Sequence, residues 1–314
     1  MGTPLLWVGF NLFVLAAVAL DLGVFSRRLH KVELKEAAIS SVVWVVLSLL
    51  FGVGILHYSG RQPALEFFTG YLIEKALSVD NLFLFLVIFR TFAIDERFQH
   101  RLLEWGILGA LIMRAVMIAA GTALIERFSW VLYLLGAFLI YAGAHMLFAK
   151  KEQVHPEQNP IVRFATKHLR VTHEYHGERF FTRVGGKLYA TPLFLVLVVV
   201  EMTDVTLAID SIPAIFGITT DAFIVYTSNV FAILGLRALY FLLAGVLDKL
   251  AYLKVGLALV LVFVGAKMIV EPWLHISVGV SLAIVLGTLM VAVLASLLRK
   301  KKSRDQGRER VAGQ

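Results

Sequence analysis

The sequence predicts an all-α polytopic membrane protein of about nine transmembrane helices, with an inverted three-helix repeat formed by spans 3–5 and 6–8. Three observations carry that prediction. The chain is 59% hydrophobic and only 17% charged, where ordinary soluble domains are about 45–50% apolar and about 25% charged. Its apolar residues gather into nine runs of bilayer-crossing length. The few charged residues inside those runs occur twice, in matching order.

A helix needs about 20 apolar residues to cross a bilayer. Nine stretches qualify, at roughly 4–25, 36–57, 64–89, 102–125, 128–149, 188–216, 221–247, 251–270 and 275–298. The first has no basic stretch before it and no small-residue cleavage site after it, so it reads as a retained span. The connectors after spans one, three, five and seven, with the tail, hold 24 Lys and Arg, whereas the opposite side holds Arg61 and Arg127. Basic residues collect on the cytoplasmic side. The expected topology is therefore an N-terminus in the periplasm and a C-terminus in the cytoplasm, in a bacterial inner membrane. The net charge of +8 follows from that asymmetry and requires no nucleic-acid partner. The absence of cysteine excludes disulfides and thiolate metal sites.

The organisation follows from these spans. Residues 1–57 form the first two membrane helices, 64–149 the first repeat unit (spans 3–5) and 188–270 the second (spans 6–8), with 275–298 the ninth helix. Residues 150–187 form one long cytoplasmic loop rich in charge and histidine. His168, His173, Glu174 and His176 fit no familiar ligand spacing and read as solvated, with a weak metal site or a pH-responsive patch as the alternative. Residues 299–314 read as a disordered basic tail beside anionic headgroups.

The repeat is visible at its polar positions. "EKALSVDNL" from Glu74 aligns with "DVTLAIDSI" from Asp204, so that Asp80-Asn81 matches Asp210-Ser211. The next span of each half carries one arginine, Arg114 in "IMRAVMI" and Arg237 in "GLRALYF". The span after that ends "GAHM" at 143–146 and "GAKM" at 265–268. Three is an odd number of crossings, so the second unit enters from the opposite side. Such inverted repeats place a substrate site near the midplane, where the units meet.

A charge at mid-bilayer costs roughly 2.5–3.5 kcal/mol on insertion scales. The third and sixth spans nevertheless carry Glu74, Lys75, Asp80, Glu201, Asp204 and Asp210. Acids facing a shared cavity need positive charge. Lys75, Arg114, Arg237 and Lys267 could supply some of it, and a bound cation the rest. At about 100° per residue, Glu74 shares a face with Asn81, and Asp204 with Ser211; Glu201 lies one turn before Asp204. Pro213 cannot donate to the carbonyl of Ile209, so a broken sixth span is expected beside Asp210. Carboxylates, an amide, a hydroxyl and a freed carbonyl make an all-oxygen site, which suits Mn²⁺, Mg²⁺ or Ca²⁺. The candidate ligands are Glu74, Asp80, Asn81, Glu201, Asp204, Asp210 and Ser211. Purely structural pairing of these acids with the arginines and lysines is the competing reading, and carboxylates as proton carriers are compatible with either. His145 lies where Lys267 lies in the other half, so either is a candidate partner for an acid. No pattern for a catalytic triad, phosphate loop or zinc hydrolase occurs, so no enzyme and no prosthetic group is expected.

"GYLIEKALSVDNLFLF", "VEMTDVTLAIDSIPAIFGIT" and "SNVFAILGLRALYFLLAG" resemble the TerC family of bacterial membrane proteins, nearest its Alx branch, over nearly the whole chain. That family is placed with the lysine-exporter-like superfamily, built on paired three-helix units. The resemblance implies manganese export, metal homeostasis and a link to the supply of metal to secreted enzymes, hence an interaction with secretion machinery. It assigns ion handling to Glu74, Asp80, Asn81, Asp204, Asp210 and Ser211. The expected function is export of Mn²⁺ by alternating access, with proton coupling as a variant. Two alternatives are a cation channel and a non-transporting membrane partner in metal delivery or the envelope stress response.

Overall fold

The computed structural model describes residues 2–25, 34–92, 94–148, 171–172, 177, 179–243 and 252–312. It is mostly helical. The helices are α1 (Pro4–Phe25), α2 (Leu34–Ser59), α3 (Arg61–Thr91), α4 (Glu96–Arg127), α5 (Val131–Phe148), α6 (Pro192–Phe216), α7 (Ala222–Ile233), α8 (Leu236–Leu243), α9 (Leu253–Val270) and α10 (Val278–Ala312). Strands β1 (Phe181–Val184) and β2 (Lys187–Ala190) form a hairpin before α6.

Local sequence accounts for the ends. Asp95 caps α4 by accepting from the Arg97 amide at 3.2 Å. Asp221 caps α7 by accepting from the amides of Phe223 and Ile224 at 2.9 and 3.2 Å. Such caps satisfy amide groups that have no partner within the helix. Pro192 opens α6, where its missing N–H is no loss. The hairpin turns on Gly185 and Gly186, both at positive φ (58° and 79°), as a two-residue turn demands.

Among the described residues six helices are long and apolar enough to cross a membrane, or seven if the bent pair α7–α8 is one span. The two further expected spans are α1, whose apolar stretch is short (Pro4–Leu20), and α3, which carries Glu74, Lys75 and Asp80 in its middle. Three expectations need correction. The end of the 150–187 loop is paired into a hairpin that runs on to Ala190, so the sixth helix begins at Pro192 and not at 188. The basic tail continues α10 as helix to Ala312 and is not irregular. The discontinuous helix is the seventh span, not the sixth. Helix α6 runs through Pro213 to Phe216, whereas α7 and α8 meet at 42°. The bend falls at Leu234–Gly235, where Gly235 has φ +83° and the Trp44 ring packs so close that a Cβ would lie 2.7 Å from it. The loop residues His168, His173, Glu174 and His176 lie outside the described residues.

Helix α3 is the centre of the bundle, packed against α2, α6, α7 and α10, while α4 lies against α6 and α7. Every residue of α7 from Phe223 to Ile233 is buried, which identifies it as an interior helix. Helix α1 covers its outer part through Trp7 and Phe10, which stack against Phe223, Tyr226 and Phe231. The most intimate pair is α5 with α9. A Cβ on Gly136 would lie 2.9 Å from the carbonyl oxygen of Gly265, one on Gly265 would lie 2.5 Å from that of Gly136, and one on Gly143 would lie 2.7 Å from that of Ala258. These contacts make the two helices antiparallel. Only small residues allow backbones to meet this closely.

Candidate functional site

The site is a buried polar group where α3, α4, α6 and α7 converge. On α3, Glu74, Ser78 and Asn81 follow one another at helical spacing, and all three are buried. On α6, Asp204 and Ser211 are buried on one face, with Ala208 between them. Arg114 of α4 reaches into their midst and is itself 1% exposed. Asn229 of α7 completes the group and is fully buried.

The guanidinium links both polar motifs. Its Nη1 donates to Glu74 Oε1, to Asn229 Oδ1 at 2.6 Å and to Ser211 Oγ at 3.4 Å. Its Nη2 lies 3.6 Å from Asp204 Oδ1. Two carboxylates therefore share one cation, and the group carries one net negative charge. Its hydrogen bonding is incomplete. Glu74 Oε2, Asp204 Oδ2, Ser78 Oγ, Asn229 Nδ2 and the Nε and Nη2 of Arg114 are buried without a hydrogen-bond partner. In proteins most buried polar atoms are satisfied, and a half-satisfied ionic group is costly. A group of this kind has the chemistry to take a further positive charge: it offers unshared carboxylate oxygens beside an amide and hydroxyls.

The other predicted residues fall elsewhere. Glu201 is half-buried and within electrostatic range of Asp204, but its carboxylate lies against the backbone of Gly109 in α4, in space that a side chain there would fill. Asp210 is also half-buried and lies within electrostatic range of His145 on α5, apart from the Arg114 group. The side chain of Asp80 lies outside the described residues. Among the described residues no three acidic or histidine side chains converge on one point.

The expected charge partners divide in the same way. Arg114 meets the motif acids. Arg237 instead pairs with Glu104 of α4 at 2.9 Å. Lys75 donates to the carbonyl of Ala232 at 3.1 Å, one of the carbonyls near the bend of the seventh span. Lys267 donates to the carbonyl of Gly217 at 3.1 Å, with Glu271 3.9 Å away. Both lysines thus serve helix ends, where the last carbonyls lack intrahelical donors. Sequence reasoning missed Asn229, Ser78, Glu104 and the opening at Gly109. Asn229 was the detectable one, an amide in the apolar run "SNVFAIL".

The profile of the Integral membrane protein TerC family matches residues 59–304. An uncharacterized membrane protein of Myxococcus xanthus is 49% identical over 301 residues, covering 96% of this chain and 94% of its own. The "Putative membrane-bound redox modulator Alx" of Escherichia coli K12 is 49% identical over 303 residues, 94% of each chain. A membrane protein of Rickettsia bellii is 40% identical over 294 residues, 94% of this chain and 97% of its own. No solved structure matches.

Proposed function

This chain belongs to the TerC family of integral membrane proteins, and we propose that it is a divalent-cation carrier of the bacterial inner membrane, exporting Mn²⁺ by alternating access. One observation carries the reading. Glu74 and Asp204, which occupy matching places in the two motifs, are both buried on the same guanidinium, each with one oxygen unpartnered. Carboxylate, amide and hydroxyl oxygens favour a hard divalent ion over a soft one. Glu74, Asp204, Asn81 and Ser211 would hold the ion. Glu201 and Asp210 would line its approach, or carry protons.

An inverted repeat supports alternating access, and the α5–α9 crossing supports the repeat. Laying "GAHM" over "GAKM" places Gly143 on Gly265 and Gly136 on Ala258. The contact of Gly136 with Gly265 then becomes that of Ala258 with Gly143, and both occur. Nine crossings, counting α1 and α3, put the N-terminus in the periplasm and the C-terminus in the cytoplasm, with the basic connectors inside. The chain acts as a carrier and not as an enzyme. Its 314 residues hold no cysteine, so any redox effect of the kind in the relatives' name would come through metal supply and not through a thiol.

The test is cellular manganese in a strain lacking its own exporters, under manganese load, with proteins at matched membrane levels. The parent is expected to lower cell manganese, and Glu74→Gln and Asp204→Asn to lose that effect. A parent without effect, or variants as active as the parent, would refute the reading.

A further inference from the structure

We infer that Arg114 is a resident counter-cation: it offsets one of the site's two buried negative charges whenever the carried ion is absent, and so permits the unloaded carrier to reorient. This rests on the carrier reading above and adds a step to it.

The inference starts from a conflict of charge. Glu74 is fully buried and Asp204 is 5% exposed. Two such carboxylates with no cation between them are not tolerated at membrane depth. A divalent ion removes the problem in the loaded state. After the ion has left, something else must do so, or the carrier stalls until an ion or protons return. Arg114 is placed for that task. It comes from α4, it is held by Asn229 and Ser211 of the second unit, and it addresses one oxygen of each acid.

The incomplete bonding separates this role from a fixed structural one. A guanidinium built only to brace the bundle would use its planar fork bidentately. Here Nη1 serves Glu74, Asn229 and Ser211 together, while Nη2 stands 3.6 Å from a single oxygen of Asp204 and Nε has no hydrogen bond. The second oxygen of each acid is likewise unshared. The guanidinium thus addresses both carboxylates without saturating either, as a counter-ion must if it is to yield to an incoming ion. Because its charge is permanent, it does this without the gain or loss of a proton. The neighbouring cations are engaged elsewhere: Lys75 with Ala232, Lys267 with Gly217 and Arg237 with Glu104.

The consequence is a division between two modes of transport. Net efflux requires the unloaded carrier to return, whereas exchange of manganese for manganese does not. The experiment uses the full chain in proteoliposomes loaded with radioactive manganese. Efflux is measured into metal-free buffer and into buffer containing unlabelled manganese. The wild type is expected to run in both modes. Arg114→Gln is expected to lose net efflux by at least about tenfold, the scale set by an unneutralised charge in the membrane, and to keep exchange within a few-fold of wild type. Arg114→Lys, which keeps the charge but not the fork, is expected to restore net efflux. The inference is overturned if a folded Arg114→Gln loses both modes alike or keeps both alike. If Arg114→Gln does not fold, Arg114→Lys decides alone: both modes retained sustains the counter-cation, and both lost means that the fork is structural. A wild type that moves no manganese in either mode sinks the carrier reading itself, and this inference with it.

Discussion

The α5–α9 crossing offers the sharpest test of the architecture, through Gly265→Ala. The new methyl would lie 2.5 Å from the carbonyl oxygen of Gly136, and moving it to an ordinary contact of 3.4 Å requires the helices to part by about 0.9 Å there. A gap of about 0.5–1 Å forfeits roughly a quarter to a half of each atomic contact, each worth about 0.1–0.2 kcal/mol. Over roughly 30 contacts in a helix crossing, that amounts to about 1–2 kcal/mol, within the usual cost of overpacking. The alanine also gains about 0.8–1.0 kcal/mol of helix propensity over glycine, so a reference is needed. Gly287→Ala in α10 supplies it, because nothing lies within 4 Å of its Cβ position. In thermal melts of purified protein in detergent, Gly265→Ala should be less stable than Gly287→Ala by that 1–2 kcal/mol. Adding Gly136→Ala should cost much less than it does alone, since both methyls force the same separation. Equal stability of Gly265→Ala and Gly287→Ala would refute the close crossing and remove the principal support for the repeat.

Two further outcomes test the bend and its lock. Gly235→Ala places a Cβ 2.7 Å from the Trp44 ring at φ +83° and should cost about 1–3 kcal/mol in thermal melts, partly recovered by Trp44→Leu. Glu104→Gln removes the carboxylate opposite Arg237, which is 5% exposed, and should cost up to about 3–5 kcal/mol, whereas Glu104→Gln with Arg237→Met should recover much of it; a double variant as unstable as the single would show that charge pairing is not what holds α8 to α4.

The membrane class, the two polar motifs and their faces were legible because each depends on short-range rules. The seven-residue spacing from Glu74 to Asn81, and from Asp204 to Ser211, puts each pair on one helical face, and all four residues are buried. What one face meets on another helix is a different matter. Helical periodicity assigns Glu201 to the side of Asp204, and it is within electrostatic range of that acid, but where its carboxylate rests is set by the space beside Gly109. That space depends on how closely α4 approaches α6. The break expected at Pro213 falls instead at Gly235 for a similar reason. A proline removes one hydrogen bond, which α6 absorbs without breaking, whereas the positive φ at Gly235 redirects the chain outright. Polar pairing was equally non-local: Arg114 is 115 residues from Asn229 and Arg237 is 133 residues from Glu104.

The two arginines carry the last step. In the proposed repeat they occupy the same place, so the residue that would correspond to Glu104 in the second unit is Thr227, and the one that would correspond to Asn229 in the first is Gly106. Thr227 donates to the carbonyl of Phe223 at 2.8 Å and bears no charge. The Arg237–Glu104 pair therefore has no counterpart that could form if the two units exchanged conformations, and neither has the Arg114–Asn229 bond. The apolar joint at α5–α9, by contrast, maps onto itself. In a carrier built on this plan, the glycine joint allows the two conformations to interconvert, and the unmatched arginine contacts make them unequal in energy. The buried Arg237–Glu104 pair fixes α8 against α4 in the conformation described here.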